Sequence, residues 1–308
     1  LDLSELSSLP QAVQKFLTPI NPRGTAYLKG QFTGPLKKPL QGRLVLNYQS
    51  ELMRIYGYRI DNLSVDGSIN ANQKSVWSIN SNLYNGLLSV QAKVDFSDPS
   101  LPSQIQANLK GADITNLKND SPLKEKPMSG ILDVSLSAYG PLKNIKDITG
   151  NGEVSISNGH IWTANLLKGV WEHLLIEDYR NIDFTGGNAK FQIKDKRFVT
   201  NSLFLYSTPL NLEGKGWVGF NKEIDMDIYP DFKMSQILIS NDLNKGVSAA
   251  MAQTRGFLSI KLYGTVDKPK HKVMTHPNVL LQKGAESAIE GAGVLFEGVQ
   301  DAIGDLFP

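Results

Sequence analysis

Apolar and polar residues alternate with a period of two along most of this chain, from Thr25 onward. Successive side chains of a β-strand point to opposite faces, so this pattern predicts strands with one apolar and one polar face. Turn residues, such as those at 70–74 and at Asn85-Gly86, interrupt the alternation about every ten positions. We therefore expect a mainly β protein, with an extended and curled antiparallel sheet built from repeated modules.

A strand that ends in glycine recurs three times. These glycines are Gly34, Gly140 and Gly264, and each is followed by a short turn that contains an aliphatic residue and a lysine. The first two copies continue as Pro-Leu-Lys and the third as Thr-Val-Asp. A repeat this loose is typical of a unit of architecture rather than of a catalytic loop. Gly214 and Gly216 fall on the apolar side of their strand, which predicts curvature or the close approach of another group.

Three segments change from the strand period to a helical period. The central one carries a broad apolar stripe that includes Leu167, Trp171 and Leu175. These amphipathic helices are predicted at the N-terminus, centre and C-terminus, over residues 4–18, about 163–178 and 279–307. Three domains are predicted. Residues 1–127 form an N-terminal helix with a first groove module, and residues 128–273 form a second groove module with an inserted helix and a closing strand. Residues 274–308 form a C-terminal amphipathic helix.

Composition narrows the classes of protein that fit this pattern. The 308 residues include 32 basic and 30 acidic side chains, a net charge of +2, and this balance argues against nucleic-acid binding. The chain has no cysteine, which excludes disulfides, thiolate metal sites and a cysteine nucleophile. Apolar stretches end before the ~18 residues that a membrane-spanning helix needs. The chain starts at Leu1, so we expect a fragment whose targeting segment lies upstream.

Motifs that carry chemistry are not found in the sequence. The chain has four histidines, His160, His173, His271 and His276. Their spacing in the sequence does not match that of metal ligands. Glu172 and Glu177 are read as the solvated face of the central helix rather than as an acid–base pair. A phosphate loop requires a helix directly after its glycines. No helical pattern follows the glycine-rich run at 214–219, so this run is not a phosphate loop. The sequence therefore predicts a protein that is not an enzyme and binds no cofactor or metal.

Two segments, 181–207 and 210–220, resemble the C-terminal region of the AsmA-like family. Their pattern is an apolar strand, a turn, a strand that ends in serine and a strand with Gly-x-Gly. The glycine-ended strands and residues 58–67 look like upstream parts of large members, the TamB-like and YhdP-like chains. The resemblance covers residues 20–270 and implies a periplasmic envelope protein, anchored in the inner membrane through an N-terminal segment. It also implies a long curled sheet that forms a half-pipe, a β-groove with an apolar interior, and it implies phospholipid transport between membranes and outer-membrane biogenesis.

A single curled sheet leaves its apolar face as a trough, whereas a sandwich covers that face with a second sheet. An acyl chain can fill such a trough at about 0.8 kcal/mol per buried CH₂. The expected partner is therefore phospholipid or another acyl lipid. The residues expected to line the groove are Leu132, Val134, Leu136, Val154, Ile156, Phe191, Ile193, Leu203, Leu205, Leu212, Val218, Phe220, Ile224, Met226, Ile228, Leu258, Ile260 and Leu262.

Two other classes of function stay open at this point. An envelope assembly or scaffold protein would bind a β-rich protein partner through a sheet edge and would have a closed core. An enzyme acting on envelope glycans would gather carboxylates in a cleft, which the sequence does not indicate. Bound lipid and an accessible apolar face distinguish the first hypothesis, a lipid groove, from both alternatives.

Overall fold

The computed structural model describes residues 23–35, 37, 41–161, 184–208, 210–232 and 258–275. The helices predicted over 4–18, about 163–178 and 279–307 lie outside these residues, as does the C-terminal domain predicted over 274–308, except for its first two residues.

Within the described residues, fifteen strands form one large antiparallel sheet that is not closed on itself. The order in the sheet follows the chain from β3 to β15, and both β1 and β2 pair with β3. This confirms the prediction of a mainly β, antiparallel architecture. The strands are β1 (Arg23–Gly24), β2 (Tyr27–Thr33), β3 (Arg43–Ile55), β4 (Tyr58–Ile69), β5 (Lys74–Leu83), β6 (Gly86–Asp95), β7 (Pro102–Asp113), β8 (Ser129–Pro141), β9 (Thr149–His160), β10 (Gly186–Lys194), β11 (Arg197–Tyr206), β12 (Leu210–Gly219), β13 (Glu223–Phe232), β14 (Leu258–Thr265) and β15 (Lys268–Thr275).

The two helical segments of the described residues are short. Helix α1 spans Ile114–Asn119, between β7 and β8, and a 3₁₀ segment spans Leu142–Asp147, between β8 and β9. Asp113 caps α1, because its Oδ1 accepts a hydrogen bond from the backbone N–H of Thr115 at 2.7 Å.

The chain divides into two compact units. The first comprises residues 1–161 with 190–197, and the second comprises 162–189 with 198–308. The boundary predicted at residue 127 falls inside the first unit, because β7 and β8 on either side of it pair in register from Pro102↔Pro141 to Leu109↔Val134. The turn residues at 121–127 therefore mark a connection between neighbouring strands.

The repeated glycines close the first strand of a hairpin in all three copies, at the ends of β2, β8 and β14. Gly264 has φ +94°, a conformation that favours glycine. At Gly140, a Cβ atom would lie 2.9 Å from the Cα of Ile148. The repeat therefore has a steric cause, since the chain turns at these positions with no room for a side chain.

Three irregularities in register interrupt the strand pairing of the first unit. They occur between Asp61 and Ser64, between Leu109 and Ala112, and between Ser129 and Ile131. At the second, Gly111 has φ +75° and its N–H donates to Asp133 Oδ1 at 2.7 Å. A β-bulge bends its strand and increases the local twist, so these are the positions at which the sheet is expected to curl.

Candidate functional site

The first unit has one apolar side across eight neighbouring strands, which we name the inner face. Cross-strand partners on β2 to β9 form continuous rows on this side of the sheet. The central row is Leu28, Tyr48, Val65, Ile79, Val90, Ala107, Leu136 and Gly152. A second row is Ser81, Leu88, Leu109, Val134 and Val154. Side chains directly opposite one another on adjacent strands are in contact, so the rows form a continuous apolar surface.

The opposite side of these strands, the outer face, is polar. The row beside the central apolar row is Lys29, Asn47, Asp66, Ser78, Gln91, Gln106, Ser137 and Asn151. Asn47 Nδ2 donates to Asp66 Oδ1 at 2.6 Å, and Gln91 Nε2 donates to Ser78 Oγ at 2.8 Å. Apolar and polar residues are thus separated onto the two faces, as the period of two predicts.

Solvent reaches much of the inner face. Val65, Ile79, Val90, Leu136 and Ile156 are all half-buried rather than buried. At the edge strand β2, the inner-face residues Leu28 and Phe32 are 63% and 37% exposed. Every described strand belongs to the same sheet, so no second sheet of described residues covers this surface. The inner face is therefore an apolar surface that is partly accessible to solvent, although Leu63, Val94 and Leu109 on the same face are buried.

Glycines on the inner face allow neighbouring aromatic rings to lie flat against the sheet, which gives this face a low relief. A Cβ at Gly67 would lie 2.2 Å from the ring of its cross-strand partner Trp77, and a Cβ at Gly152 would lie 2.5 Å from the ring of Phe191. The aromatic rings therefore lie against the backbone of the neighbouring strand instead of projecting from the sheet. Trp77 Nε1 donates to Ser75 Oγ at 2.8 Å, which holds the indole in this position.

The apolar face of the second unit is different, because most of its residues on β12 to β14 are buried. Its residues on β12, β13 and β14 are between 0% and 7% exposed, and they are Leu210, Leu212, Ile224, Met226, Ile228, Ile260 and Leu262. A Cβ at Gly214 would lie 2.8 Å from Leu203 Cδ2 and 3.0 Å from Ile228 Cδ1. The close approach predicted at Gly214 is therefore a contact with apolar side chains of the same sheet.

The residues predicted to line a groove differ in their exposure. Half-buried ones are Leu132, Val134, Leu136, Val154, Ile156, Phe191, Leu203, Leu205 and Val218. Buried ones are Ile193, Leu212, Ile224, Met226, Ile228, Ile260 and Leu262. Phe220 lies at the turn after β12, is 36% exposed and has its ring centroid 5.3 Å from that of Phe198. Leu258 begins β14, and its side chain is outside the described part of the structure.

The sequence-based prediction missed most of the inner face. It nominated residues of β8 and β9 but none of β2 to β7, whose half-buried inner-face residues include Leu46, Val65, Ile79, Leu88 and Val90. The same alternation of apolar and polar positions in these strands would have found them. The accessible surface is therefore larger than predicted within the first unit and smaller in the second.

A polar cluster ties together the strand ends at one end of the first unit. Tyr84 Oη donates to Asp120 Oδ2 at 2.7 Å and accepts from the backbone N–H of Arg59 at 2.9 Å. Arg54 Nη1 lies 3.1 Å from Asp120 Oδ1 and donates to the carbonyl of Gly57 at 2.7 Å. We name Arg54, Arg59, Tyr84 and Asp120 the rim cluster. It joins the β3–β4 turn, the β5–β6 turn and the end of α1.

The rim cluster changes the acidity of two of its members. Burial raises the pKa of Tyr84 to about 12, and its hydrogen bond to Asp120 acts in the same direction. The hydrogen bond from Tyr84 and then the neighbouring Arg54 lower the pKa of Asp120. Both shifts favour a neutral phenol that donates to a charged carboxylate. This geometry indicates a structural tie and not a proton-transfer site.

We expect Tyr84→Phe to lower the free energy of unfolding by about 1–3 kcal/mol, because it removes the hydrogen bonds of a buried hydroxyl to the Arg59 N–H and to the charged Asp120 carboxylate, which keeps Arg54 as its partner. The measurement is urea unfolding followed by circular dichroism. Tyr56→Phe is the control, because Tyr56 is 66% exposed at the tip of the β3–β4 turn. Equal stability of the two variants would contradict the assignment of the rim cluster as a tie.

Acid is expected to weaken the same tie. A carboxyl group whose pKa is lowered in the folded state stabilises the fold above its unfolded pKa of about 3.9, and this contribution is lost as the pH falls through the folded value. Asp120→Asn should therefore flatten the fall in unfolding free energy between about pH 5 and pH 2. Tyr84→Phe should flatten it in part, since the Tyr84 hydrogen bond is the main cause of the lowered pKa. Unchanged pH profiles in both variants would refute this.

The outer face of the second unit carries a charged ladder. Lys261 Nζ contacts Asp225 and lies 3.4 Å from Asp227 Oδ1. The hydrogen bond to Asp225 raises the pKa of Lys261. The Nζ of Lys215, the cross-strand partner of Asp227, lies 4.9 Å from the centroid of the Tyr229 ring. These groups pair among themselves, so they form a solvated surface rather than a binding site.

The histidine and glutamate residues singled out in the sequence lie at separate places. His160 ends β9 and His271 lies within β15, while His173, Glu172, Glu177 and His276 are outside the described residues. In the described ranges, no three histidine, aspartate or glutamate side chains gather as metal ligands, and no helix has the length and apolarity needed to cross a bilayer. Comparisons with protein families, with curated proteins and with solved structures found no match. The inner face is thus the feature on which a functional proposal can be built.

Proposed function

We propose that this protein holds lipid acyl chains on the inner face of its first unit, as an envelope protein outside the cytoplasm. The observation that carries the proposal is the accessibility of an apolar surface that crosses eight strands. A monomeric soluble protein rarely exposes a large continuous apolar patch unless the patch has a binding role. The role is one of binding without catalysis.

The dimensions of the inner face suit an acyl chain. Adjacent strands lie about 4.8 Å apart, so the central row from β2 to β9 spans about 34 Å along the sheet. One leaflet of a bilayer has a hydrocarbon depth of about 15 Å, half of the ~30 Å core. An acyl chain that lies along the row would cross three or four strands. The row is long enough for two chains end to end.

Energetics favour a lipid with two acyl chains. Complete burial of about 14 methylenes is worth about 11 kcal/mol at 0.8 kcal/mol each, and a surface that covers one side of the chain gives about half of this. Association costs at least about 4 kcal/mol in lost freedom of motion, which leaves little for a single chain. A second chain on the same molecule adds its burial without a second association cost. We therefore infer a diacyl lipid, with phospholipid as the natural class.

The proposed location and process draw on the sequence resemblance described above. The resemblance of residues 181–207 and 210–220 to the AsmA-like family supports a periplasmic protein, held at the inner membrane by a segment outside this sequence. In that setting the inner face would shield acyl chains from water during phospholipid transport between membranes and outer-membrane biogenesis. The polar outer face, with its rows of amide and hydroxyl side chains, suits a protein surrounded by water.

The proposal predicts lipid in the purified protein. Gentle purification, extraction with organic solvent and mass spectrometry should recover diacyl phospholipid at about one molecule or more per chain. Protein stripped of lipid should take up a fluorescent diacyl phospholipid from vesicles faster than the corresponding single-chain lysolipid. Protein that carries no lipid and takes none up would contradict the proposal, and retention of a β-rich envelope protein in its place would favour the assembly role.

A further inference from the structure

The two edge strands of the sheet differ in how well they are protected. All seven residues of β2 are exposed, and among the described residues β2 pairs with β3 alone. At the other edge, β15 carries Lys268, Lys270 and Lys272 with Pro269 between them. Proline and lysine on an edge strand hinder the addition of another strand. The edge at β15 is therefore guarded against pairing.

Strand β2 has none of this protection beyond a single lysine. It contains no proline, and its register with β3 is continuous from Tyr27↔Gln49 to Thr33↔Arg43, without a bulge. Its inner-face residues Leu28 and Phe32 are exposed, as given above. A regular, exposed edge with apolar side chains on one face is a template for another strand. This strand therefore has the features of a pairing edge.

The sequence of β2 is complementary to itself. In an antiparallel pair centred on Gly30, Leu28 lies opposite Phe32, Lys29 opposite Gln31 and Tyr27 opposite Thr33. Apolar residues thus meet apolar residues on the inner face, and no two like charges are directly opposite. A pair of this kind has a twofold axis through Gly30 and normal to the sheet, the usual symmetry of a homodimer.

We propose that a second copy of this chain pairs with the first through β2, edge to edge. The twofold axis keeps both inner faces on the same side of the joined sheet, so the apolar surface of one copy continues into the other. Leu28 and Phe32 each gain an apolar cross-strand neighbour in this pair and lose part of their exposure. Seven paired residues bury less than a standard interface of about 1,600 Å², so the dimer is expected to be reversible and to depend on concentration.

Charge at position 31 tests the register. Gln31→Lys places a lysine opposite Lys29 twice in the dimer, and Gln31→Glu places a glutamate there twice. Sedimentation velocity on delipidated protein over a range of concentrations should show a dimerisation Kd raised several-fold in Gln31→Lys and lowered several-fold in Gln31→Glu. Both changes affect an exposed outer-face residue. Melting temperatures close to that of the parent protein exclude a folding defect as the cause.

Introduced thiols give a second test, because the chain has no cysteine of its own. Directly opposed residues of an antiparallel pair have Cα atoms about 4.5–5.5 Å apart, within the range that a disulfide bridges. Mild oxidation of a mixture of Leu28→Cys and Phe32→Cys proteins should give a covalent heterodimer. Either variant alone should give much less, since residue 28 meets residue 32 and not itself.

Three results would overturn the proposal. They are a protein that stays monomeric at the highest concentration reached, a dimer whose Kd is the same in both position-31 variants, and thiol cross-linking that is equal in the single variants and the mixture. The use of delipidated protein separates this proposal from the lipid-binding role, because a dimer without lipid binding, or lipid binding without a dimer, would each be visible.

Discussion

Ala107→Trp is expected to remove most of the bound lipid while the protein stays folded. Ala107 lies in the central row, opposite Val90 on one side and Leu136 on the other. An indole at this position would occupy the surface along which an acyl chain lies, and it would keep that surface apolar. Lipid recovered per chain should fall at least several-fold, measured by solvent extraction and mass spectrometry.

The same variant reports whether the inner face is open. On an accessible surface, the larger side chain should change the free energy of unfolding by less than about 0.5 kcal/mol. Under a close-packed layer, it would overpack the interior and cost about 1–3 kcal/mol. Asn108→Trp is the matched control, because Asn108 is the next residue on the same strand and is exposed on the outer face. Equal lipid content in the two variants, or a destabilised Ala107→Trp, would end the proposal of a lipid groove.

The amphipathic sheet was predictable because alternation is a local property of a strand. Leu132, Val134 and Leu136 are two residues apart, so once β8 forms they share a face whatever surrounds them. The antiparallel order follows from the short connections, since a tight turn can join only antiparallel neighbours. The glycines that end β2, β8 and β14 were also visible as a repeat. Their steric cause required the neighbouring strand.

Accessibility was not predictable from the same pattern. Val134 on β8 and Met226 on β13 have the same alternating surroundings in the sequence, yet Val134 is half-buried and Met226 is buried. Burial depends on what lies over a face, and that is decided by parts of the chain far away in sequence. A list of groove residues drawn from alternation alone therefore mixes accessible positions with core positions.

Contacts that depend on register were equally invisible. Trp77 lies over Gly67 because β4 and β5 pair in one particular register. Tyr84 and Asp120 are 36 residues apart, and they meet because β6 and β7 return the chain to the same end of the sheet. No short motif marks either pair. The rim cluster and the low relief of the inner face therefore had to be read from the structure.

Ile260→Ala is expected to be the most destabilising of the substitutions considered. Ile260 is 0% exposed on β14, with Ile228 opposite it on β13 and Val273 on β15. Removing a buried isoleucine side chain typically costs about 2–5 kcal/mol, through lost burial and the cavity that remains. The free energy of unfolding from urea titration should fall by this amount.

Val76→Ala provides the comparison, because Val76 is 50% exposed on the outer face of β5. This substitution should lower the free energy of unfolding by about 0.5 kcal/mol or less. The lipid recovered per folded chain should be the same in Ile260→Ala as in the parent protein, since the proposed binding surface is in the first unit. Loss of lipid from folded Ile260→Ala would place the binding surface in the second unit. A destabilisation no larger than that of Val76→Ala would show that the second unit does not use this face as its core.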